Sequence, residues 1–213
     1  NLISATAIKN WETNSTINAS LGNVGTISTP SVFNLTSAFG GNNLFMISGA
    51  GDGTFFGYKW TGGSWVANSS INSSLIDVGS NSVPFVFYYG NTLQMIVATT
   101  NARFVGFSWT GTSWVINSTM NASLPTITLN TQLTVFNMSN TLYLIATDGI
   151  SNLFYGYKWD GTQWVTNSTI NASLPTTIAQ PSPEVFSKDG TFYMISRGEV
   201  GKFFGFNWTG TSW

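Results

Sequence analysis

GYKWTGGSWVANSSINSSL at residues 57–75, GFSWTGTSWVINSTMNASL at 106–124 and GYKWDGTQWVTNSTINASL at 156–174 are copies of one pattern. A fourth copy begins as GFNWTGTSW at 205–213, and the text that would continue it, WETNSTINASL, stands at 11–21. The second Trp of the pattern falls at Trp11, Trp65, Trp114, Trp164 and Trp213, a step of about fifty residues that signals a repeat architecture. Working outward, each unit reads as four short strands. The first is an apolar pair before a turn, as at Val32-Phe33, Phe85-Val86-Phe87, Val135-Phe136 and Val185-Phe186. The second is a continuous apolar run, LFMIS (44–48), LQMIVA (93–98), LYLIA (142–146) or FYMIS (192–196), as expected of a strand covered on both faces. The third is of the FFGYKW type and the fourth of the WVxNS type, with Gly, Asn and Asp-Gly punctuation between them. The links after the fourth strand read as polar connections, and no helical periodicity is evident.

Between the paired Trp residues stands a four-residue turn, TGGS, TGTS, DGTQ or TGTS. Trp60/Trp65, Trp109/Trp114, Trp159/Trp164 and Trp208/Trp213 should therefore face one another across a hairpin. The Gly two places after the first Trp is expected to need a positive φ. Because both Trp residues recur in every unit, they read as packing residues rather than as sugar platforms. Repeated four-stranded units of this length predict an all-β chain, a β-propeller of four blades of four antiparallel strands. It forms a single domain, 1–213, with repeat units running approximately 11–64, 65–113, 114–163 and 164–213. Residues 11–20 carry the fourth-strand text missing after Trp213, so closure by the N-terminal strand is expected, within one chain or by strand addition to a second copy.

Composition narrows the function. Seven Lys/Arg face eight Asp/Glu, for a net charge of −1 with 7% charged residues. No basic patch is available for phosphates or for an anionic membrane surface, so nucleic-acid binding and membrane insertion are not expected. The chain has no His and no Cys, which removes Ser-His-Asp and Cys-His nucleophiles, His-based zinc sites and disulfides. No cofactor, metal or catalytic residue is expected. No apolar run approaches the ~18 residues of a membrane span, and the first ten residues lack the pattern of a signal peptide. The eight acids show no spacing that singles out a glycosidase pair.

The W-x-G-x-x-W hairpin resembles the blade repeats of tachylectin-like and tectonin-like lectin propellers. That resemblance implies a compact extracellular propeller with a carbohydrate site in each blade. N-x-[ST] sequons occur at Asn14, Asn18, Asn34, Asn68, Asn72, Asn117, Asn121, Asn137, Asn167, Asn171 and Asn207, each a potential N-glycan acceptor in an exported protein. They also serve the simpler purpose of satisfying backbone groups in turns. Abundant sequons, few charges and no Cys resemble surface proteins of archaea and of their viruses. The reading is a non-enzymatic, extracellular, N-glycosylated module with a structural or adhesive role at a cell surface, in a filament or on a virion; the alternative is a lectin. Expected partners are covalent N-glycans, copies of the chain itself and host or cell-surface glycans. Asp52, Asn101, Asp148, Arg197 and Glu199 occupy similar turns between second and third strands and form the candidate ligand face.

Overall fold

A computed structural model of the chain describes residues 13–24, 29–35, 43–80, 82–99, 103–126, 131–174, 182–197 and 202–213. It is all-β, with four antiparallel blades in a propeller arrangement. The first blade comprises β1 (Pro30–Leu35), β2 (Asn43–Gly49), β3 (Phe55–Trp60) and β4 (Trp65–Ala67). The second holds β5 (Val83–Tyr89), β6 (Thr92–Ala98), β7 (Phe104–Trp109) and β8 (Trp114–Ile116). β9 (Leu133–Met138), β10 (Thr141–Thr147), β11 (Phe154–Trp159) and β12 (Trp164–Thr166) make the third. The fourth contains β13 (Pro183–Lys188), β14 (Thr191–Arg197) and β15 (Phe203–Asn207), three strands among the described residues. Strands pair in chain order within each sheet. The first strands β1, β5, β9 and β13 are neighbours from blade to blade and form the inner row.

The hairpin carrying the Trp residues forms as its sequence requires. Trp60 pairs with Trp65, Trp109 with Trp114 and Trp159 with Trp164, and Gly62, Gly111, Gly161 and Gly210 all have φ between 99° and 107°. A β-carbon would make that conformation costly.

The polar links differ from their expected form. Ser15–Ser20 (α1), Ser69–Asn72 (α2), Ser118–Ser123 (α3) and Ser168–Ser173 (α4) are short helices. Residues 15–20, expected to extend a closing strand, are therefore helical, and Trp11 lies outside the described residues. The cause is local: Asn14, Asn68, Asn117 and Asn167 cap the helices, their side chains accepting from Ile17, Ser70, Met120 and Ile170 N–H. Such a cap contributes about 1 kcal/mol. Helices of one turn have too few residues to show a 3.6-residue period, and tertiary packing must supply most of their stability.

That packing is the same in three blades. Ile71, Met120 and Ile170 are buried and lie over the central Gly of the third strand. A Cβ on Gly57, Gly106 or Gly156 would come within 2.2–2.9 Å of Ile71, Met120 or Ile170. Each Gly carbonyl accepts the N–H of the capping Asn: Asn68 to Gly57 at 2.8 Å, Asn117 to Gly106 at 2.9 Å and Asn167 to Gly156 at 2.8 Å. A Ser at or just past the end of each helix then reaches the next blade. Ser20, Ser74, Ser123 and Ser173 Oγ accept from the N–H groups of Trp65, Trp114, Trp164 and Trp213 at 2.8–3.1 Å.

The core is consequently divided into seams between blades rather than gathered at one centre. Phe33, Ile47, Phe55 and Ile71 of the first blade meet Met95, Phe107, Trp109 and Trp114 of the second. Phe87, Ile96, Phe104 and Met120 meet Val135, Leu144 and Trp164 of the third. Phe136, Ile145, Phe154 and Ile170 meet Met194, Phe206, Trp208 and Trp213 of the fourth.

Candidate functional site

Trp109/Trp114, Trp159/Trp164 and Trp208/Trp213 are part of these seams, whereas Trp60 and Trp65 are half-buried and outside them. Trp109, Trp114 and Trp164 are buried, and all four pairs lie 5.2–5.5 Å apart with ring planes inclined 59–65°, a favourable edge-to-face type of contact. Phe33 meets Trp114, and Phe136 meets Trp213, at a near-perpendicular angle. The pairs of the second, third and fourth blades are placed as packing residues.

The sequon asparagines fall into two groups. Asn68, Asn72, Asn117, Asn121, Asn167 and Asn171 are half-buried. Asn72 Nδ2 donates to the Phe55 carbonyl at 2.7 Å. Asn117 Nδ2 donates to Ser108 Oγ at 2.9 Å and to Gln94 Oε1. Asn121 and Asn171 Oδ1 accept the strand N–H of Gly106 and Gly156. These amides hold helix to strand. Asn14, Asn18, Asn34, Asn137 and Asn207 are exposed.

On the expected ligand face, Asp52 and Asp148 lie in corresponding turns after β2 and β10. Each directs its carboxylate at its own turn: Asp52 accepts from Thr54 N–H and Oγ1, and Asp148 from Ile150 and Ser151 N–H. The two Thr54 hydrogen bonds hold Asp52 below the usual carboxylate range. Arg197 ends β14 and is exposed. Asn101 and Glu199 lie outside the described residues. Elsewhere, hydrogen bonds from Thr162 and Gln163 lower the carboxyl of Asp160 to about 2. Glu184 keeps an exposed surface, yet desolvation by its neighbours raises its carboxyl. Among the described residues, no group of three acids is placed to hold a metal ion.

A different place has the shape of a site. A cleft of about 740 Å³ lies beside the second blade, bounded by Ile76–Gly79, Arg103–Val105, Asn121 and Leu124–Thr126. Its floor is the start of β7, and its walls are the links that enter and leave the blade. Arg103 is exposed and supplies a fixed cation with five N–H donors. Asp77 accepts from Gly79 N–H at 2.8 Å, which orients its carboxylate. Ile76, Val105, Leu124 and Pro125 give the apolar portion. A few polar groups set into an apolar concavity are what binding sites for small molecules have in common. Sequence reading missed this cleft because its parts are distant along the chain. The repeat carries no signal for it either, since the residue before the third-strand Phe differs in every unit: Thr54, Arg103, Leu153 and Lys202.

No family model matches the chain, and no curated protein matches it. Solved structures do. The Aleuria aurantia lectin, a fungal lectin with a six-bladed β-propeller fold and a novel fucose recognition mode, is 14% identical with a TM-score of 0.63, over 85% of this chain and 58% of its own. AofleA from Arthrobotrys oligospora is 14% identical with a TM-score of 0.64, over 92% of this chain and 57% of its own. A thermostable family-43 glycoside hydrolase is 14% identical with a TM-score of 0.59, over 83% and 66%. The chain spans about three-fifths to two-thirds of the length of these propellers. At this identity the likeness is one of fold.

Proposed function

We propose that this chain is a non-enzymatic carbohydrate-binding propeller module, with its sugar site in the cleft beside Arg103. The observation that carries the reading is that cleft, a concave space lined by Arg103, Asp77 and Asn121 beside Ile76, Val105 and Leu124. Sugar hydroxyls both donate and accept, so a guanidinium, a carboxylate and an amide suit their edges, while Ile76, Val105 and Leu124 suit a C–H face. The fucose-binding Aleuria lectin among the similar folds supports this over a purely structural role. The hydrolase in the same company calls for comparison with catalysis. Glycoside cleavage uses two carboxylates about 5–10 Å apart, and among the described residues the cleft lining includes one, Asp77.

Binding is tested by screening the purified chain on a glycan array and titrating the best sugar into wild type and Arg103→Ala. A lost charge-assisted hydrogen bond weakens binding about tenfold or more. The melting temperature should not move, because Arg103 is exposed. Failure to bind any glycan, equal affinity in Arg103→Ala, or release of reducing sugar would overturn the proposal.

The module is further proposed to be extracellular and N-glycosylated, with glycans confined to the exposed asparagines. Asn14, Asn18, Asn34, Asn137 and Asn207 present open side chains, whereas Asn72 and Asn117 already use their amide nitrogens inside the fold. Site-resolved mass spectrometry of chain secreted from a glycosylating host should find sugar at some of the exposed five and none at Asn72 or Asn117. An unmodified chain, or occupancy at either of those two positions, would contradict this.

A further inference from the structure

The side-chain groups left open in the cleft beside the second blade are mostly hydrogen-bond donors. Arg103 is exposed, and its guanidinium has no ion pair or hydrogen bond among the described residues. Its backbone is fixed, because the Arg103 carbonyl accepts from Thr99 N–H at 3.0 Å and from Thr99 Oγ1 at 3.2 Å, and Thr99 is buried. The guanidinium therefore stands on a held root just before β7 and offers five N–H donors with no acceptor.

Asn121 acts in the same sense. Gly106 N–H donates to its Oδ1, which fixes the amide one way round, and its Nδ2 has no protein partner among the described residues. In the first blade the corresponding Asn72 spends its nitrogen on the Phe55 carbonyl. Asp77 is an acceptor in the lining, but it does not neutralise Arg103. Its Oδ1 accepts from Gly79 N–H at 2.8 Å and lies against the β2–β3 turn of the first blade, where a Cβ on Gly53 would meet it at 2.2 Å. No ion pair joins Asp77 to Arg103 among the described residues.

We infer that the cleft takes a sugar bearing a carboxylate, a uronic or sialic acid residue, with that carboxylate on Arg103 and on Asn121 Nδ2. This rests on the carbohydrate-binding reading and adds to it the chemical class of the sugar. A sugar hydroxyl presents a donor with each acceptor, whereas a carboxylate only accepts, through two oxygens that match the fork of a guanidinium. Two donor groups without partners, set apart from the one carboxylate of the described lining, suit the second ligand better than the first. Ile76, Val105 and Leu124 remain for the C–H face of the ring. With a net charge of −1, the chain has no general attraction for anions, so the preference for an acid arises at this guanidinium.

The experiment is isothermal titration calorimetry of the chain, made in a host that adds no glycans, with methyl glucuronide, its methyl ester, the methyl glycoside of N-acetylneuraminic acid, methyl fucoside and acetate. At least one sugar acid should bind about tenfold or more tightly than the ester and the fucoside, with affinity falling as salt is raised. Which of the two acids binds identifies the source of the carboxylate. Arg103→Gln, at an exposed position, should bind acid and ester alike. Asn121→Asp keeps an acceptor for Gly106 N–H but puts a carboxylate oxygen in place of Nδ2. It should lose the acid by about tenfold or more and melt as wild type does. Equal affinity for acid and ester, a preference that survives in Arg103→Gln, or acetate bound as tightly as the sugar acid would overturn the inference. Binding of neutral glycans alone overturns it and leaves the carbohydrate-binding reading standing; binding of no glycan overturns both.

Discussion

Replacing Trp114 by Ala should cost about 3–5 kcal/mol of folding stability, the usual loss for a large buried aromatic. Trp114 is 2% exposed. It packs against Trp109 at 5.2 Å and against Phe33 across the seam at 6.3 Å. Its backbone N–H is held by Ser74 from the preceding blade's link. Truncation empties a volume walled by two blades, and antiparallel strands on both sides prevent its collapse. At about 2–4 °C per kcal/mol for a chain of this size, the melting temperature should fall by roughly 6–20 °C. Val115→Ala, at an exposed neighbouring position on β8, should change the folding stability by no more than about 0.5 kcal/mol. Thermal unfolding followed by circular dichroism distinguishes the two roles open to this Trp. A Trp114→Ala protein that melts like wild type but loses sugar binding would make the residue a ligand platform and refute the packing assignment.

Gly49→Ala should be nearly as damaging for a different reason. Gly49 ends β2 where the chain passes Ser82, the residue leading into β5 of the next blade. A Cβ there would lie 1.9 Å from the Ser82 carbonyl oxygen and 2.8 Å from its carbon. The obstacle is backbone, and Ser82 is fully buried with its Oγ donating to the Gly79 carbonyl. The obstacle does not yield by rotating a side chain, so relief requires moving the end of β2 away from the segment leading into β5. A cost of ~3 kcal/mol, at the upper end for overpacking, is expected. Gly63→Ala is the control, because its Cβ meets no described atom within 4 Å and its φ is not positive. Urea unfolding should separate the two variants clearly; equal midpoints would show that the blades do not meet at Gly49 as described.

The candidate site and the repeat differ in how far they can be read from sequence. The Trp hairpin is legible because a pair such as Trp60 and Trp65 is made by adjacent residues with a turn of known chemistry between them. The cleft at Arg103 depends on residues 76–79 and 121–126 being brought beside β7. No local rule places two links on the two sides of one blade. The sequons show the same division: their repetition is visible at once, but the capping by Asn117 and the strand contacts of Asn121 emerge only when the helix lies on Gly106.

Sequence by itself determined the all-β class, the four blades, the interior strands around Met46, Met95, Leu144 and Met194, and the positive-φ turns at Gly62, Gly111, Gly161 and Gly210. Period-two strands, turn residues and a fifty-residue repeat are local signals, and repeating them multiplies their weight. Tertiary structure alone decided that NSTINAS is a helix and that Gly156 is a socket for Ile170. The second and third units carry almost the same text, so composition and pattern cannot tell the buried Trp109 from the half-buried Trp159. Burial belongs to the pair of surfaces in contact, and the energy of an apolar face is settled by whether another blade lies against it.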